Sequence, residues 1–417
     1  MNVQAVLCAL FIGATVTSIA NAQGLEVPDN TLRSTQVPTL NRLIALAVEH
    51  APQVVVGRSA LRASESSYVG ARQWPVQNPY FEVTATRSSR AGNQGTLFVG
   101  AAWLPFEVSG QRSSRIAEAK AYVGIHQVEL EQSRALARAA AVRAWGRAVV
   151  ETERIRTLGD IANSAESEAR AFRARSDAGD ATERDAQLAE VEHARHVVLV
   201  EEAKAALAGA LGEMERVTGQ PWMQPLNANV HPEAVLERMR PRVAAGQSPF
   251  VRASRAEADY FGKNESKWES EATGPVSLML SGGRGTTGET VIGAGVAWAL
   301  PTFRRFQGER ARAQAERERA LSQSNATQRE IETRLTTTIV ELASVRRAIL
   351  VLDQQALPAA HAAREAAEKM FSMGKIDILS VLVSRRDEAL LRLKHLDLAE
   401  QEWSLLGNWV ELSGALP

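Results

Sequence analysis

Cysteine is almost absent from this chain: Cys8 is the single cysteine among 417 residues. It lies in the apolar N-terminal stretch and follows Leu7, whereas an acylated lipoprotein cysteine follows a small residue. If that stretch is removed, the remaining chain has no thiol. Disulfides, thiolate metal sites and lipidation on cysteine are then all excluded.

The chain also lacks a net charge and has few aromatic side chains. Its 48 basic residues balance 48 acidic ones, so the composition gives no support to nucleic-acid binding. Aromatic residues make up 5% of the chain, while alanine, glutamate, arginine and leucine are abundant, which is typical of long packed helices. Beyond the N-terminus no run reaches about 18 apolar residues, so a membrane-embedded part would have to consist of β-strands.

The N-terminal stretch has the pattern of a secretory signal peptide. It is apolar and ends in Ala20-Asn21-Ala22 before Gln23, a small-x-small cleavage pattern. We therefore expect residues 1–22 to be a signal peptide and the chain to be exported. No lysine or arginine precedes the apolar run, so a retained anchor is the alternative interpretation.

In the rest of the chain, prolines and glycines recur in the same order after about 195 residues, which indicates a duplication. Pro52 matches Pro249, Leu104-Pro105 matches Leu300-Pro301, and Gly179 matches Gly374. We therefore predict two similar halves, residues 23–219 and 220–417.

Each half is predicted to contain a leading helix, two strands, a long helix and a shorter helix. Alternating apolar residues place the strands at about 80–87 and 96–104 in the first half, and at about 276–281 and 291–300 in the second. The helical composition then continues for more than about 60 residues to each glycine, or roughly 100 Å at 1.5 Å per residue. Such helices are too long for a compact globule and are expected to run beside one another.

The two strand pairs are expected to stand apart and to need partners from outside the chain. Isolated hairpins leave backbone groups unpaired and an apolar side uncovered. Strands of this length with one apolar face fit a transmembrane β-barrel, with Trp103 and Trp298 at the membrane interface. Four strands cannot close a barrel, so oligomerisation follows. The alternative is a soluble sandwich around a small core.

Several segments together resemble the TolC-like outer-membrane efflux family and, within it, the heavy-metal branch for cobalt-zinc-cadmium and nickel resistance. The junction LPTFRRFQGE is similar to the family's strand-to-helix junction, although Arg305-Phe306 before Gln307 is a mild departure. The segments that carry the resemblance are Pro52, NPYFEV at 78–83, LPTFRRFQGERARAQAERERA at 300–320, MGKIDILSVLVSRRDEAL at 373–390 and VELSGAL at 410–416.

The resemblance implies a mainly α fold with a small β part, a duplicated helix–hairpin–helix unit. As a homotrimer, it would form a twelve-stranded outer-membrane β-barrel continuous with a periplasmic α-helical barrel. Its implied partners are outer-membrane lipid, a periplasmic adaptor and a proton-driven resistance-nodulation-division pump of a Gram-negative bacterium. The implied function is passive conduction of divalent cobalt, nickel, zinc or cadmium. A channel for drugs is the alternative, and a periplasmic adaptor or structural coiled coil is a more distant one.

The same resemblance implies three sets of working residues. Some relatives carry carboxylate rings in the lumen shortly after the tip glycine, which favours Asp185 first and Asp377 second. The alternatives to these roles are that Gly179 and Gly374 only end their helices and that Asp185 and Asp377 are ordinary solvated carboxylates. The predicted adaptor-docking tips are Gly179, Asp180, Met373, Gly374, Lys375 and Ile376, and the predicted barrel-to-tunnel junctions are Pro105, Gly110, Pro301 and Gly308.

No pattern in the sequence supports catalysis or a bound cofactor. No nucleophile, base and orienting acid occur at recognisable spacing, so we expect no enzyme activity. His193 and His196 stand at i and i+3, where they could share a metal, but solvated helix positions are the default interpretation. SGGRGTTGE at 281–289 has Glu289 where a phosphate loop needs lysine, so it is predicted to be a turn.

Overall fold

A computed structural model describes residues 39–415 except 75–76, 91–92, 224–227, 237–243 and 301. The predicted signal peptide, Cys8 and Pro301 lie outside the described residues. The prediction of a mainly helical chain with a small β part is confirmed. None of the helices in the described ranges is both long and apolar enough to cross a membrane.

The element order helix, hairpin, long helix and shorter helix occurs twice. The first half contains α1 (Leu40–His50), α2 (Pro52–Ala71), β1 (Tyr80–Arg90), β2 (Asn93–Phe106), α3 (Gln111–Asp177) and α4 (Glu183–Thr218). The second half contains α5 (Glu233–Leu236), α6 (Pro249–Glu271), β3 (Val276–Arg284), β4 (Thr290–Trp298), α7 (Gln307–Val351), α8 (Leu357–Ser372) and α9 (Ile378–Ser413). The 67 residues of α3 span about 100 Å at 1.5 Å per residue.

The two prolines that match across the halves both begin a helix. Pro52 is the first residue of α2 and Pro249 is the first residue of α6. The first N–H groups of a helix have no partner within the helix, so a residue without an N–H is tolerated there. The matched prolines therefore fix where the second helix of the first half and the leading helix of the second half begin.

The second long helix is interrupted between α7 and α8. Leu352–Ala356 form a π-helical turn, in which the Leu357 N–H bonds to the Leu352 carbonyl. Pro358 follows as the second residue of α8. Its missing N–H and its ring are incompatible with regular hydrogen bonding through this point. The prediction of one regular helix from about 305 to Gly374 is therefore corrected at this turn.

The four strands form one antiparallel sheet in the order β1-β2-β3-β4. The expectation that the two hairpins stand apart is wrong, because β2 pairs with β3 from Phe98↔Arg284 to Phe106↔Val276. Within the described residues β1 and β4 each have one edge without a strand partner. One chain therefore supplies a continuous four-stranded sheet with two open edges.

Three strands extend past their predicted ends, and β4 stops short of its own. β1 and β2 run to Arg90 and Phe106, and β3 continues through its glycines to Arg284. The turn predicted at 281–289 is confined to its second part, where the Gly285 N–H bonds to the Glu289 carbonyl at 2.8 Å. β4 ends at Trp298, so Leu300 lies beyond the strand.

The main core lies where α3 crosses α9 and packs against α1, α2 and α4. Fully buried side chains there include Trp409, Met214 and Val142. Alanine recurs along the buried side of α3, which lets neighbouring helices approach closely. The approach is closest at Gly146, where an added Cβ would lie 2.2 Å from Trp403 Cγ. The core therefore depends on small residues of α3 as much as on large ones of α9.

Candidate functional site

One face of the sheet is apolar and uncovered within the described residues. Cross-strand partners share a face, so the register places Phe81, Leu280, Ile292 and Val296 together. Phe81 is 70% exposed and Ile292 is 84% exposed. The opposite face is mixed and carries polar and small residues, such as Glu82, together with some large apolar ones. A contiguous exposed apolar face of this kind marks contact with another protein or with lipid.

The two tryptophans expected at the membrane interface lie on opposite faces of the sheet. Trp298 pairs with Val276 on the apolar face, and its Nε1 donates to the Thr273 carbonyl at 3.0 Å. Trp103 lies on the other face and stacks on Tyr80, with ring centroids 5.8 Å apart. The expectation that both belong to one aromatic belt is therefore corrected: only Trp298 lies on the apolar face.

At the first predicted junction, the strand leads into α3 through a short turn that is held by a buried glutamine. Pro105 still belongs to β2, and Gly110 directly precedes α3 with φ 77°. Gln111 is 2% exposed; its Oε1 accepts from the Ser109 N–H at 2.8 Å, and its Nε2 donates to the Gly274 carbonyl at 3.2 Å. The turn is therefore tied to the segment just after α6 by a side chain whose burial is not apparent from the sequence.

The second junction repeats the glutamine but not the glycine. Gln307 Oε1 accepts from the Arg305 N–H at 3.0 Å, as Gln111 does from Ser109. The residue before the helix is Phe306, whose φ of 53° is unusual for a bulky side chain. Its ring packs 5.4 Å from that of Trp268. Gly308, predicted as a junction residue, is the second residue of α7.

The junction glutamines offer a matched comparison of a buried and an exposed position. We expect Gln111→Leu to lower the free energy of unfolding by about 1–3 kcal/mol, because it leaves a buried N–H and a carbonyl without partners. Gln307→Leu removes the equivalent bonds at an exposed position, where water replaces them, and should cost less. Thermal unfolding followed by circular dichroism measures both; equal losses would contradict this role for Gln111.

Both predicted tips are glycine-terminated helix ends. Gly179 has φ 81° and Gly374 has φ 69°, a conformation that costs other residues energy. In each tip the glycine N–H bonds three residues back, and the N–H of Asp180 or Lys375 bonds five residues back. Met373 and Lys375 are exposed, and Ile376 is half-buried. The structure thus places the residues predicted for docking at two equivalent turns.

The two predicted lumen carboxylates cap helices. Asp185 forms a capping box with Thr182: its N–H donates to Thr182 Oγ1 at 3.1 Å, and its Oδ2 accepts from the Thr182 N–H at 3.3 Å. Asp377 caps α9 by accepting from the N–H and the hydroxyl of Ser380 at 3.1 and 2.6 Å. These bonds hold the pKa of Asp377 below its usual value. Each carboxylate therefore has a local structural role at its tip.

An aromatic contact joins the ends of α3 and α8. The rings of Phe172 and Phe371 have centroids 6.2 Å apart, and the Arg175 guanidinium lies 5.8 Å from each centroid. Phe172 is buried with the alanines of α3 and α4 near the first tip. The tips of the two halves are thus connected within one chain, a link that the sequence analysis missed.

Farther from the tips along the same helices, buried charges connect α3, α8 and α9. The side chain of Glu388 is 6% exposed and accepts from Arg364 Nε and Arg392 Nη2, both at 2.5 Å. Arg385 pairs with Glu168 of α3 and, at 2.7 Å, with Glu368 of α8. Burial by itself would raise the pKa of Glu388, but its arginine partners hold it below its usual value. A cavity of about 260 Å³ between α3, α4, α8 and α9 lies beside these residues.

The chain is similar in sequence to a metal-resistance protein and in fold to several solved outer-membrane proteins. No protein-family model matches the chain. The cobalt-zinc-cadmium resistance protein CzcC of Cupriavidus metallidurans is 26% identical over 369 residues, which are 88% of this chain and 87% of that protein.

Solved outer-membrane proteins share the fold over nearly the whole chain. VceC of Vibrio cholerae has a TM-score of 0.71 at 16% identity, with 90% of this chain and 96% of that chain covered. CusC, described for its transmembrane channel formation, has a TM-score of 0.75 at 12% identity, with 90% and 92% covered. The outer membrane channel CmeC of Campylobacter jejuni has a TM-score of 0.69 at 14% identity, with 97% and 94% covered.

Proposed function

The resemblance to the TolC-like outer-membrane efflux family is confirmed by the relative and by the shared fold, and on this premise we propose that the chain is an outer-membrane efflux channel. The observation that carries the proposal is the sheet, which has an uncovered apolar face and two open edges. A helical body about 100 Å long continues from it. CmeC is named as a channel, CusC is described for channel formation and CzcC is named as a resistance protein, which favours a duct over an enzyme.

The proposed assembly is a homotrimer with a twelve-stranded barrel in the outer membrane and most of each chain in the periplasm of a Gram-negative bacterium. The open edges of β1 and β4 would pair with neighbouring copies, which satisfies their backbone groups. The face that includes Phe81 and Ile292 would contact lipid. Recovery of the chain as a soluble periplasmic monomer would exclude this assembly.

The proposed cargo is divalent metal ions, namely cobalt, nickel, zinc or cadmium. The support is the relative CzcC, whose name records cobalt-zinc-cadmium resistance. A proton-driven pump in the inner membrane would supply the energy and a periplasmic adaptor would connect it to the duct. A wide duct need not remove the hydration shell of an ion, so selectivity would lie in the pump. Asp185 and Asp377 would then affect conduction only modestly.

Deletion of the protein is expected to sensitise cells to one or more of these metal ions. Growth of the deletion strain across a series of cobalt, nickel, zinc, cadmium and copper concentrations measures this, with a plasmid copy as the control. Complementation by Asp185→Ala should restore most of the tolerance. Unchanged metal tolerance in a strain without a redundant channel, together with sensitivity to drugs, would replace metal ions by drugs as the cargo.

Replacement of Gly374 by valine is expected to weaken adaptor docking without abolishing trimers. The positive φ of Gly374 is unfavourable for a β-branched residue, so the second tip would rearrange locally. Since Cys8 lies in the predicted signal peptide, a cysteine introduced by Lys375→Cys would be the single thiol for crosslinking. Gly70→Val on α2, where an added Cβ meets no neighbour, is the control. Loss of trimers would instead make Gly374 a folding position.

A further inference from the structure

A cluster of two histidines and two carboxylates lies away from the tips and the sheet. His231 belongs to the linker between α4 and α6, His395 and Glu402 lie on α9, and Asp353 lies in the π-helical turn between α7 and α8. The Trp403 Nε1 donates to the carbonyl of Val230 at 2.7 Å, which fixes the linker beside His231. Three separate parts of the chain thus place their polar side chains together.

The contacts of His231 leave a nitrogen lone pair facing His395. His231 Nδ1 lies 2.9 Å from Glu402 Oε2, and the carboxylate is only 3% exposed, so Nδ1 donates. Neutral His231 therefore carries no proton on Nε2, which lies 3.3 Å from His395 Nε2. His395 Nε2 is in turn 3.0 Å from Asp353 Oδ1. Two acceptors compete for a single His395 proton, an arrangement that a bound cation would satisfy better.

The distance between His231 Nε2 and His395 Nε2 matches that between two nitrogen ligands bound to one ion. In a tetrahedral site with Zn–N bonds of about 2.0–2.1 Å, two nitrogens are about 3.3–3.4 Å apart. The ring centroids are 4.9 Å apart and the ring planes meet at 81°. In a head-on N–H···N bond both ring radii would add to the 3.3 Å between the nitrogens, so the centroids would lie farther apart than they do. The two imidazoles therefore meet at an angle.

We propose that His231, His395 and Asp353 bind a divalent transition-metal ion of the zinc class, with Glu402 orienting His231 and water in the fourth position. Among the described residues no group of three such side chains is placed so that it could hold a metal ion, so the proposed site requires Asp353 to rotate toward the ion as it binds. Its side chain is 47% exposed and lies 3.0 Å from His395 Nε2, so it is already next to one of the proposed ligands. The second oxygen of Glu402 faces Arg346 at 3.6 Å, which suits an orienting role rather than ligation.

Binding at this position would connect the linker between the two halves to the interrupted helix and to α9. π-Helical turns in α-helices frequently occur at functional sites, and this one supplies Asp353. The site would be resident in the protein and goes beyond the proposed function, because it stands whether the duct carries metal ions or drugs.

Cobalt(II) is the probe, since its visible absorption reports a tetrahedral nitrogen and oxygen site. Full-length protein purified without a polyhistidine tag should bind one Co²⁺ per chain, and Zn²⁺ should displace it. We expect His395→Gln and Asp353→Asn each to weaken binding at least tenfold, on the order of losses seen when metal sites are disturbed. Asp353→Asn changes an exposed side chain and keeps the fold, so it guards against unfolding as the cause.

The control is the His193 and His196 pair on α4, which is closer in sequence but makes unrelated contacts. His193 Nδ1 bonds to the Ala162 carbonyl at 3.2 Å, and His196 Nε2 lies 4.0 Å from Glu192. His193→Gln should leave Co²⁺ affinity unchanged. Absence of saturable Co²⁺ binding, or equal binding by wild type and Asp353→Asn, would overturn the proposal and leave protonation as the only event at the cluster. Neither result bears on metal tolerance of the deletion strain.

Discussion

Gly146→Ala is expected to destabilise the helical body by about 1–3 kcal/mol, the range found when a close-packed core is overfilled. The new Cβ would lie 2.2 Å from Trp403 Cγ, inside the distance of any real contact. Trp403 cannot swing aside freely, because its Nε1 donates to the Val230 carbonyl and the residue is 3% exposed. Either α3 and α9 separate or the linker loses its anchor. The midpoint of thermal unfolding, followed by far-ultraviolet circular dichroism, measures the loss.

Gly159→Ala is the matched control, since it makes the same substitution on the same helix. No heavy atom lies within 4 Å of a Cβ added at Gly159. Alanine is favoured over glycine in a helix by about 1 kcal/mol, so this variant should be as stable as wild type or more stable. The two substitutions should therefore shift the unfolding midpoint in opposite directions. A rise of the midpoint in both variants would show that the contact with Trp403 yields without cost.

The sequence predicts the helices well because their signals are local. Composition and spacing indicate α3 and α9, and Pro52 and Pro249 mark helix starts through their missing N–H groups. Pro358 could have predicted the interruption after α7 by the same physics. The pairing of β2 with β3 could not be predicted, because alternation defines the faces of a strand and says nothing about its neighbour.

The residues of the candidate site also divide into those that a local sequence signal predicts and those that depend on the fold. The tip glycines are visible in the sequence because a helix reversal needs a positive φ, and the capping of α4 by Thr182 and Asp185 follows a readable spacing. Gln111 is indistinguishable in sequence from Gln307, although only the first is buried. Burial depends on what α6 places beside each junction, and that is a property of the fold.

The buried charges around Glu388 belong to the part that local sequence cannot reveal. Their partners come from α3, α8 and α9, so no spacing rule brings them together. Glu388 accepts from both Arg364 and Arg392, and His361 Nδ1 lies 3.4 Å from it. One carboxylate therefore pairs with two cations at the position where α8 packs on α9.

Glu388→Gln is expected to lower the free energy of unfolding by about 1.5–3 kcal/mol, the range for hydrogen bonds to charged groups. The amide keeps the shape of the side chain but removes the negative charge that Arg364 and Arg392 share, while Arg364 keeps its pair with Glu368. Glu365→Gln is the control, because Glu365 is on the neighbouring helix, is largely exposed and pairs with His361 at 3.3 Å. Its loss should be small. Denaturant unfolding of both variants against wild type measures the difference.

The pH dependence separates a charge effect from a packing effect. The pKa of Glu388 is lower in the folded protein than its ordinary value, so the ionised carboxylate contributes stability above the unfolded pKa of about 4.3. That contribution is lost as pH falls through the folded pKa. The gap in stability between wild type and Glu388→Gln should therefore be constant near neutral pH and close in acid. A gap that does not narrow at all as the pH falls below the unfolded pKa of about 4.3 would assign the loss to packing rather than to the carboxylate charge.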